Sequence, residues 1–307
     1  MTTTASARAS HPLARSEAPG DIEDRARRPW RIDCRFVFGL LVGLAVLAGT
    51  LIPAVLAPAS PTEQSLVDRL RPPAWLDRGS GEHWLGTDSL GRDVLSRVIH
   101  GARTTFIVAL ASSALGGLLG IACGLTAGYR GGLVDEAISK LTDVQLAFPY
   151  LLVAISVMAV AGRNLLVLVL VLAVSSWPTF ARIVRGETLA LRRRQFIESA
   201  QAVGGTDTRI VLVHVVPSLI PSLCVVASFD LARIIILESS LSFLGLGVPP
   251  PTPSWGLDLS ESRQFVQIAW WTVLFPGLAI SLVVLAANLF GDWVRDSLDP
   301  VLRRSRT

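Results

Sequence analysis

Phe196-Ile197-Glu198-Ser199-Ala200-Gln201-Ala202-Val203-Gly204-Gly205-Thr206-Asp207-Thr208-Arg209-Ile210 lies between two long apolar runs of the chain. From Glu187 to Val203 there is neither Gly nor Pro, so the stretch favours helix. The Gly204-Gly205 pair stops that helix, and Thr206 or Asp207 can cap the next one. Arg182, Arg185, Arg192, Arg193 and Arg194 precede it, which makes the connection too charged for a simple turn. A helix, a break and a helix on one face of a membrane are therefore expected.

The flanking runs supply the membrane. The chain of 307 residues is 51% hydrophobic and only 17% charged, against about 25% charged in soluble domains. Crossing a bilayer core of roughly 30 Å takes about 20 helical residues. Apolar windows of that kind fall at 36–57, 104–128, 144–161, 165–181, 211–237 and 268–291. The spacing predicts an all-α integral membrane protein with six transmembrane helices. Gly116, Gly117, Gly120 and Gly124 in the second window permit close helix contact, and Gly162, Arg163 and Asn164 form a tight turn between the third and fourth. Ala57, Pro58 and Ala59 loosely resemble a leader cleavage site, but the length of the first run and the spans that follow favour an uncleaved helix.

Orientation follows from the basic residues. With the N-terminus inside, the inner segments hold Arg8, Arg15, Arg25, Arg27, Arg28, Arg31 and Arg35, then Arg130 and Lys140, the loop arginines with Arg209, and Arg295, Arg303, Arg304 and Arg306. The outer segments hold fewer: Arg69, Arg71, Arg78, Arg92, Arg97, Arg103, Arg163 and Arg263. Both termini are expected to be cytoplasmic. The formal charge of +4 is explained by this topology without nucleic acid. Cys34, Cys123 and Cys224 lie far apart, with no pattern of a disulfide framework or zinc site.

The outer segment carries His83-Trp84-Leu85-Gly86-Thr87-Asp88-Ser89-Leu90-Gly91-Arg92-Asp93 before the second span. Thr87 and Asp88 are suitable N-caps, and Asp88 and Arg92 could pair at i and i+4 on an exposed membrane-surface helix. Pro249 to Pro253 favours a stiff extended connector or an outer platform, and Trp255, Trp270 and Trp271 fit an interfacial belt. Asp230 and Arg233, three apart in the fifth span, share a helix face at a depth where ionised groups are costly unless paired or facing water. Two readings stand: they border a substrate passage, or they neutralise one another structurally. No P-loop exists, because the only lysine, Lys140, lies between Ser139 and Leu141. HExxH and GxSxG motifs are also absent, so an enzyme is not expected.

The loop resembles the EAA loop of binding-protein-dependent ABC importers, with Glu198, Ser199, Ala200, Ala202, Gly204 and Pro217 at the matching positions and Ser199 departing from the usual Ala. The segment from His83 to Arg97, the stretch Glu238-Ser239-Ser240-Leu241-Ser242-Phe243-Leu244-Gly245-Leu246-Gly247 through Gly256, and Asn288-Leu289-Phe290-Gly291-Asp292 narrow the resemblance to the C-type permease of the dipeptide, oligopeptide and nickel branch. That resemblance implies a type I ABC importer permease fold in a bacterial cytoplasmic (inner) membrane. It also implies a homologous second permease subunit, two ATPase subunits or domains and an extracytoplasmic substrate-binding protein as partners. ATP would be hydrolysed by those partner subunits, with no cofactor bound by this chain. The implied division is a flexible tail at 1–35, the first helix at 36–57, an extracytoplasmic segment at 58–103, a core permease domain at 104–291 containing the coupling loop at 184–210, and a tail at 292–307. Asp230 and Arg233 are translocation-path candidates. A permease for nickel or another small solute, or an ion-gradient-driven transporter, is the alternative.

Overall fold

The computed structural model describes residues 34–298, and the expectations for residues 1–33 and 299–307 lie outside them. The described residues form helices α1 (Cys34–Leu51), α2 (Val94–Arg130), α3 (Gly132–Ala147), α4 (Tyr150–Ala161), α5 (Leu165–Arg192), α6 (Gln195–Ala202), α7 (Asp207–Phe243), α8 (Trp255–Ser262) and α9 (Trp271–Leu298), joined by turns. Helices α2, α5, α7 and α9 are each long and apolar enough to cross a membrane. Helices α3 and α4 meet at 85° and together could make one broken span, and α1 is a shorter apolar helix.

The expected continuous third span at 144–161 is therefore corrected. Phe148, at φ −96° and ψ 140°, ends α3 in extended backbone, and Pro149 caps α4. A residue before proline is pushed out of the helical region by the proline ring, which breaks the window in two. The fourth span also runs farther than the sequence window. Helix α5 continues through Arg182 and Arg185, which pair with Asp143 (2.8 Å) and Asp135 of α3 instead of opening the loop.

The α2–α5 pair is the most extensive helix contact among the described residues. Gly116, Gly120, Gly124 and Gly128 recur every four residues and lay one bare edge of α2 on the α5 backbone. A Cβ at Gly124 would stand 2.6 Å from the Ala181 carbonyl oxygen, and one at Gly128 would stand 2.7 Å from Thr188 Cβ. Between lipid-immersed helices no hydrophobic gain drives association, so dispersion over such a close approach must supply it. Helices α7, α9 and α1 pack in succession against this pair.

The segment before α2 is built differently from the exposed helix expected there. Asp93, not Thr87 or Asp88, caps α2, its carboxylate accepting from the Ser96 N–H at 2.8 Å. Asp88 and Arg92 do pair, at 2.6 Å, but in a buried turn that precedes the helix. Arg92 also reaches Glu261 at 2.5 Å, and buried Arg97 donates from Nε to Asp258 at 2.8 Å on α8. Burial works against the Arg92 charge, yet Asp88 and Glu261 outweigh it and hold the guanidinium above its ordinary value. The tryptophan belt is corrected as well. Trp255 and Trp271 are buried and donate to the Val98 and Thr87 carbonyls at 2.8 and 3.0 Å, while Trp270 is exposed. These indoles tie α8 and α9 to the start of α2.

Gly124→Leu should lower the thermal midpoint of the detergent-purified protein by the equivalent of about 1–3 kcal/mol of overpacking. Gly43→Leu, at a position open on α1, should not lower it. Arg97→Ala, which leaves Asp258 buried without its cation, should cost about 3–5 kcal/mol. Arg97→Met combined with Asp258→Leu should recover much of that loss in the same melting measurement.

Candidate functional site

Of the eight residues of α6, only Ile197 is fully buried. Ile197 is wholly buried among Tyr129, Val184, Ile210, Val215 and Leu219, with Leu191 and the half-buried Ala200 beside it. Glu198, Ser199, Gln201 and Ala202 are exposed on the remaining surface, and the Phe196 ring stands 6.4 Å from His214. The sequence alone placed one continuous helix over Glu187 to Val203. The structure interrupts it at Arg193 and Arg194, where the Arg194 N–H closes a turn on the Leu191 carbonyl at 2.9 Å.

The far end of α6 follows the sequence reading closely. Gly204 has φ +85°, the left-handed conformation that only glycine takes without strain. Its N–H donates to the Gln201 carbonyl at 2.9 Å, and the Gly205 N–H donates to the Ala200 carbonyl at 3.0 Å. Those two bonds make a complete Schellman motif, which satisfies carbonyls that the helix end would otherwise orphan. Thr206 then takes the N-cap position of α7 without a side-chain capping bond. Asp207, the next residue, accepts from the Tyr129 hydroxyl at 2.9 Å, and the Arg192 guanidinium lies 5.7 Å over the Tyr129 ring. The last turn of α2 thereby grips the first turn of α7.

Between that turn and the body of α7, residues Val211–Val215 form a π-helical stretch. Pro217 and Pro221 follow. Proline has no N–H to give to the carbonyl four residues back, and a widened turn relieves the clash of its ring with that carbonyl. The link from α6 into the body of α7 is thus not a regular α-helix.

Roughly 20 Å farther along α7, at about 1.5 Å per residue, lie Asp230 and Arg233. Arg233 Nε and Nη2 donate to Asp230 Oδ1 at 3.1 and 2.6 Å. Ser113 of α2 donates to Asp230 Oδ2 at 2.6 Å, and Arg233 Nη2 reaches Ser176 and Ser175 of α5 at 3.1 and 3.3 Å. The Asp230 side chain is 1% exposed and that of Arg233 is 38% exposed. The pair is therefore a three-helix junction with one face open.

Residues 120–304 match the profile of the family described as binding-protein-dependent transport system inner membrane component. The chain belongs to this family. It is 39% identical to the di/tripeptide transport system permease protein of Pseudomonas aeruginosa, across 87% of this chain and 88% of that protein. It is 45% identical to the glutathione transport system permease protein of Pectobacterium atrosepticum, across 73% of this chain and 74% of that one. A solved structure, the MetNI methionine ABC transporter in inward-facing conformations, shares the fold with a TM-score of 0.50 at 18% identity, covering 69% of this chain and 97% of the other.

As an inner membrane component of this family, the protein is a multi-pass transport permease and not itself an enzyme. The structure gathers Glu198, Ser199, Ala200, Ala202 and Gly204 on α6 and its cap, leaves Pro217 beyond the π-helical stretch, and sets Asp230 with Arg233 deeper in α7. Sequence reasoning missed Ile197 and Tyr129, which seat the loop, and Ser113, Ser175 and Ser176, which hold the charge pair. Ile197 had a faint signal, the one large aliphatic residue of α6, three before Ala200. Tyr129 and the serines had none, because their partners are distant in sequence.

Ile197→Ala should cost about 2–5 kcal/mol of local packing and raise amide hydrogen exchange across residues 195–205. Glu198→Gln, on the exposed face, should leave that exchange unchanged.

Proposed function

We propose that this permease is one of two similar subunits enclosing the pathway of an ATP-driven importer for dipeptides and oligopeptides, and that α6 is where a separate ATPase acts. One observation carries the reading: Ile197 is the one fully buried side chain of α6, with Ala200 half-buried beside it, while Glu198, Ser199, Gln201, Ala202 and Val203 are exposed. A short helix so mounted can sit in a partner's groove and still be pulled or pushed as a unit. The peptide substrate is supported by the di/tripeptide permease among the relatives. Counting α1 as one span and α3 with α4 as another gives a six-span type I importer fold, with both termini, α6 and the loop arginines on the cytoplasmic side. A substrate-binding protein would deliver the peptide at the opposite face, and two ATPase subunits would hydrolyse ATP below.

In this scheme closure of the ATPases moves α6, and the Ile197 cluster carries the motion onto α2 and α5, while the π-helical start of α7 yields, so that α2 and α5 shift against Asp230 and Arg233. Alternating access then follows from a shift between two packed arrangements of the spans.

Reconstitution in vesicles with the partner subunits and a loaded binding protein tests the proposal. Uptake of a dipeptide should require ATP. Gly204→Pro, which removes an N–H bond and cannot adopt φ +85°, and Ala200→Trp should leave ATP hydrolysis running while uptake collapses. Normal coupled uptake in both variants refutes the role given to α6, and uptake driven by an ion gradient without ATP refutes the importer.

A further inference from the structure

We infer that Arg233 is the residue of this subunit that meets the carboxylate of a passing peptide, and that Asp230 is a positioning residue that touches no substrate. The inference deepens the reading as a peptide importer and rests on it.

The two charges are not equivalent. Asp230 is sealed, with one carboxylate oxygen taken by Ser113 and the other by Arg233. With its side chain 1% exposed, it has no oxygen left for a substrate ammonium. Arg233 keeps more than a third of its side chain open, and Nη1 makes none of the hydrogen bonds found among the described residues. It stands about 15 Å along α7 from the helix end at Phe243, about half the thickness of a hydrocarbon core. An ionised guanidinium cannot turn an open face to lipid at that depth without heavy cost, so that face belongs to a hydrated passage.

The chemistry of the open face selects the ligand. A guanidinium offers donors only and attracts a carboxylate, while it repels the ammonium end of the same peptide. The buried Asp230 cancels most of the charge, so a carboxylate is greeted without being trapped. Passage requires that balance, because a site on a pathway must bind weakly enough to release. Ser175 and Ser176 fix the fork from α5, so the open edge of Arg233 keeps one direction.

The test compares trialanine with trialanine amide in vesicles containing the whole complex, each peptide supplied on saturating binding protein. The same binding protein serves every variant, so its own preference cancels when the free-acid to amide uptake ratio is compared between variants. Arg233→Gln should lower that ratio about tenfold, the order expected for losing one charge-assisted hydrogen bond at a hydrated site. Arg233→Lys, which keeps the charge but not the fork, should lower it less. Asp230→Asn should act oppositely, lowering both KM and kcat for the free acid, because an uncancelled Arg233 holds the carboxylate longer. An unchanged ratio in Arg233→Gln overturns the inference, as does loss of complex assembly in both Arg233 variants, which would place the residue in a subunit contact. If Arg233→Gln alone fails to assemble, an unchanged ratio in Arg233→Lys overturns it. A wild-type complex that hydrolyses ATP but imports neither peptide overturns the peptide-importer reading, and this inference falls with it.

Discussion

The backbone of α2 lies directly on the backbone of α5, and most other features of the molecule depend on that contact. The glycines at 116, 120, 124 and 128 leave no room for a side chain between the two helices. A pair packed this closely has almost no freedom to slide or rotate, since any shift drives backbone into backbone. Helix α2 then acts as a fixed post with three attachment points. Near its start Arg97 holds α8, midway Ser113 holds Asp230, and at its end Tyr129 holds the first turn of α7. Each distant element is placed by a hydrogen bond to a helix that cannot move alone.

Those attachments are polar for a reason that lipid imposes. Apolar side chains gain little by leaving hydrocarbon for another helix, so orientation must come from contacts that discriminate between registers. A carboxylate buried beside a guanidinium discriminates sharply, because a shift of one residue strands both charges. Arg97 with Asp258 and Arg233 with Asp230 both have this character, and both carboxylates are almost fully enclosed. They differ in the exposure of the cation. Arg97 is buried and closes the structure above α2, whereas Arg233 is left partly open within α7. The first arrangement suits a fixed support and the second suits a surface that something approaches.

What could be read from the sequence follows the range of the forces involved. Apolar windows, the glycine stop at Gly204 and the i,i+3 placement of Asp230 and Arg233 are local, and the structure shows helix, break and ion pair there. Pro149 was local too, yet the hydropathy of 144–161 is uniform enough to hide a break made by one ring and the extended residue before it. The long-range attachments were illegible. Arg92 looked like an exposed charge and Arg97 like one more outer-segment arginine because Glu261 and Asp258, which pair with them on α8, lie beyond the five helices α3 to α7 in the chain. Trp255 and Trp271 looked interfacial for the same reason, their carbonyl partners being on the segment around α2. For α6, composition gave the exposed face, but only the three-dimensional cluster around Ile197 shows how lightly the helix is held.

That light attachment limits how motion could enter the spans. A force on α6 reaches α7 through the Schellman turn at Gly204 and Gly205 and then through the π-helical stretch Val211–Val215. A π-helical stretch followed by Pro217 and Pro221 lacks two of the bonds that stiffen a regular helix, so it would absorb a push along the axis by bending. The Ile197 cluster offers a second route, from α6 directly onto Tyr129 of α2 and onto Val184 and Leu191 of α5. Because α2 and α5 are locked together, that second route would rotate them as one body past the body of α7, and the junction where they meet α7 is Ser113, Ser175 and Ser176 around Asp230 and Arg233. A relative movement of even one hydrogen-bond length there would change how far the guanidinium opens. The flexible start of α7 is then a requirement of the mechanism, since a rigid link would carry α7 along with α2 and leave the junction unaltered.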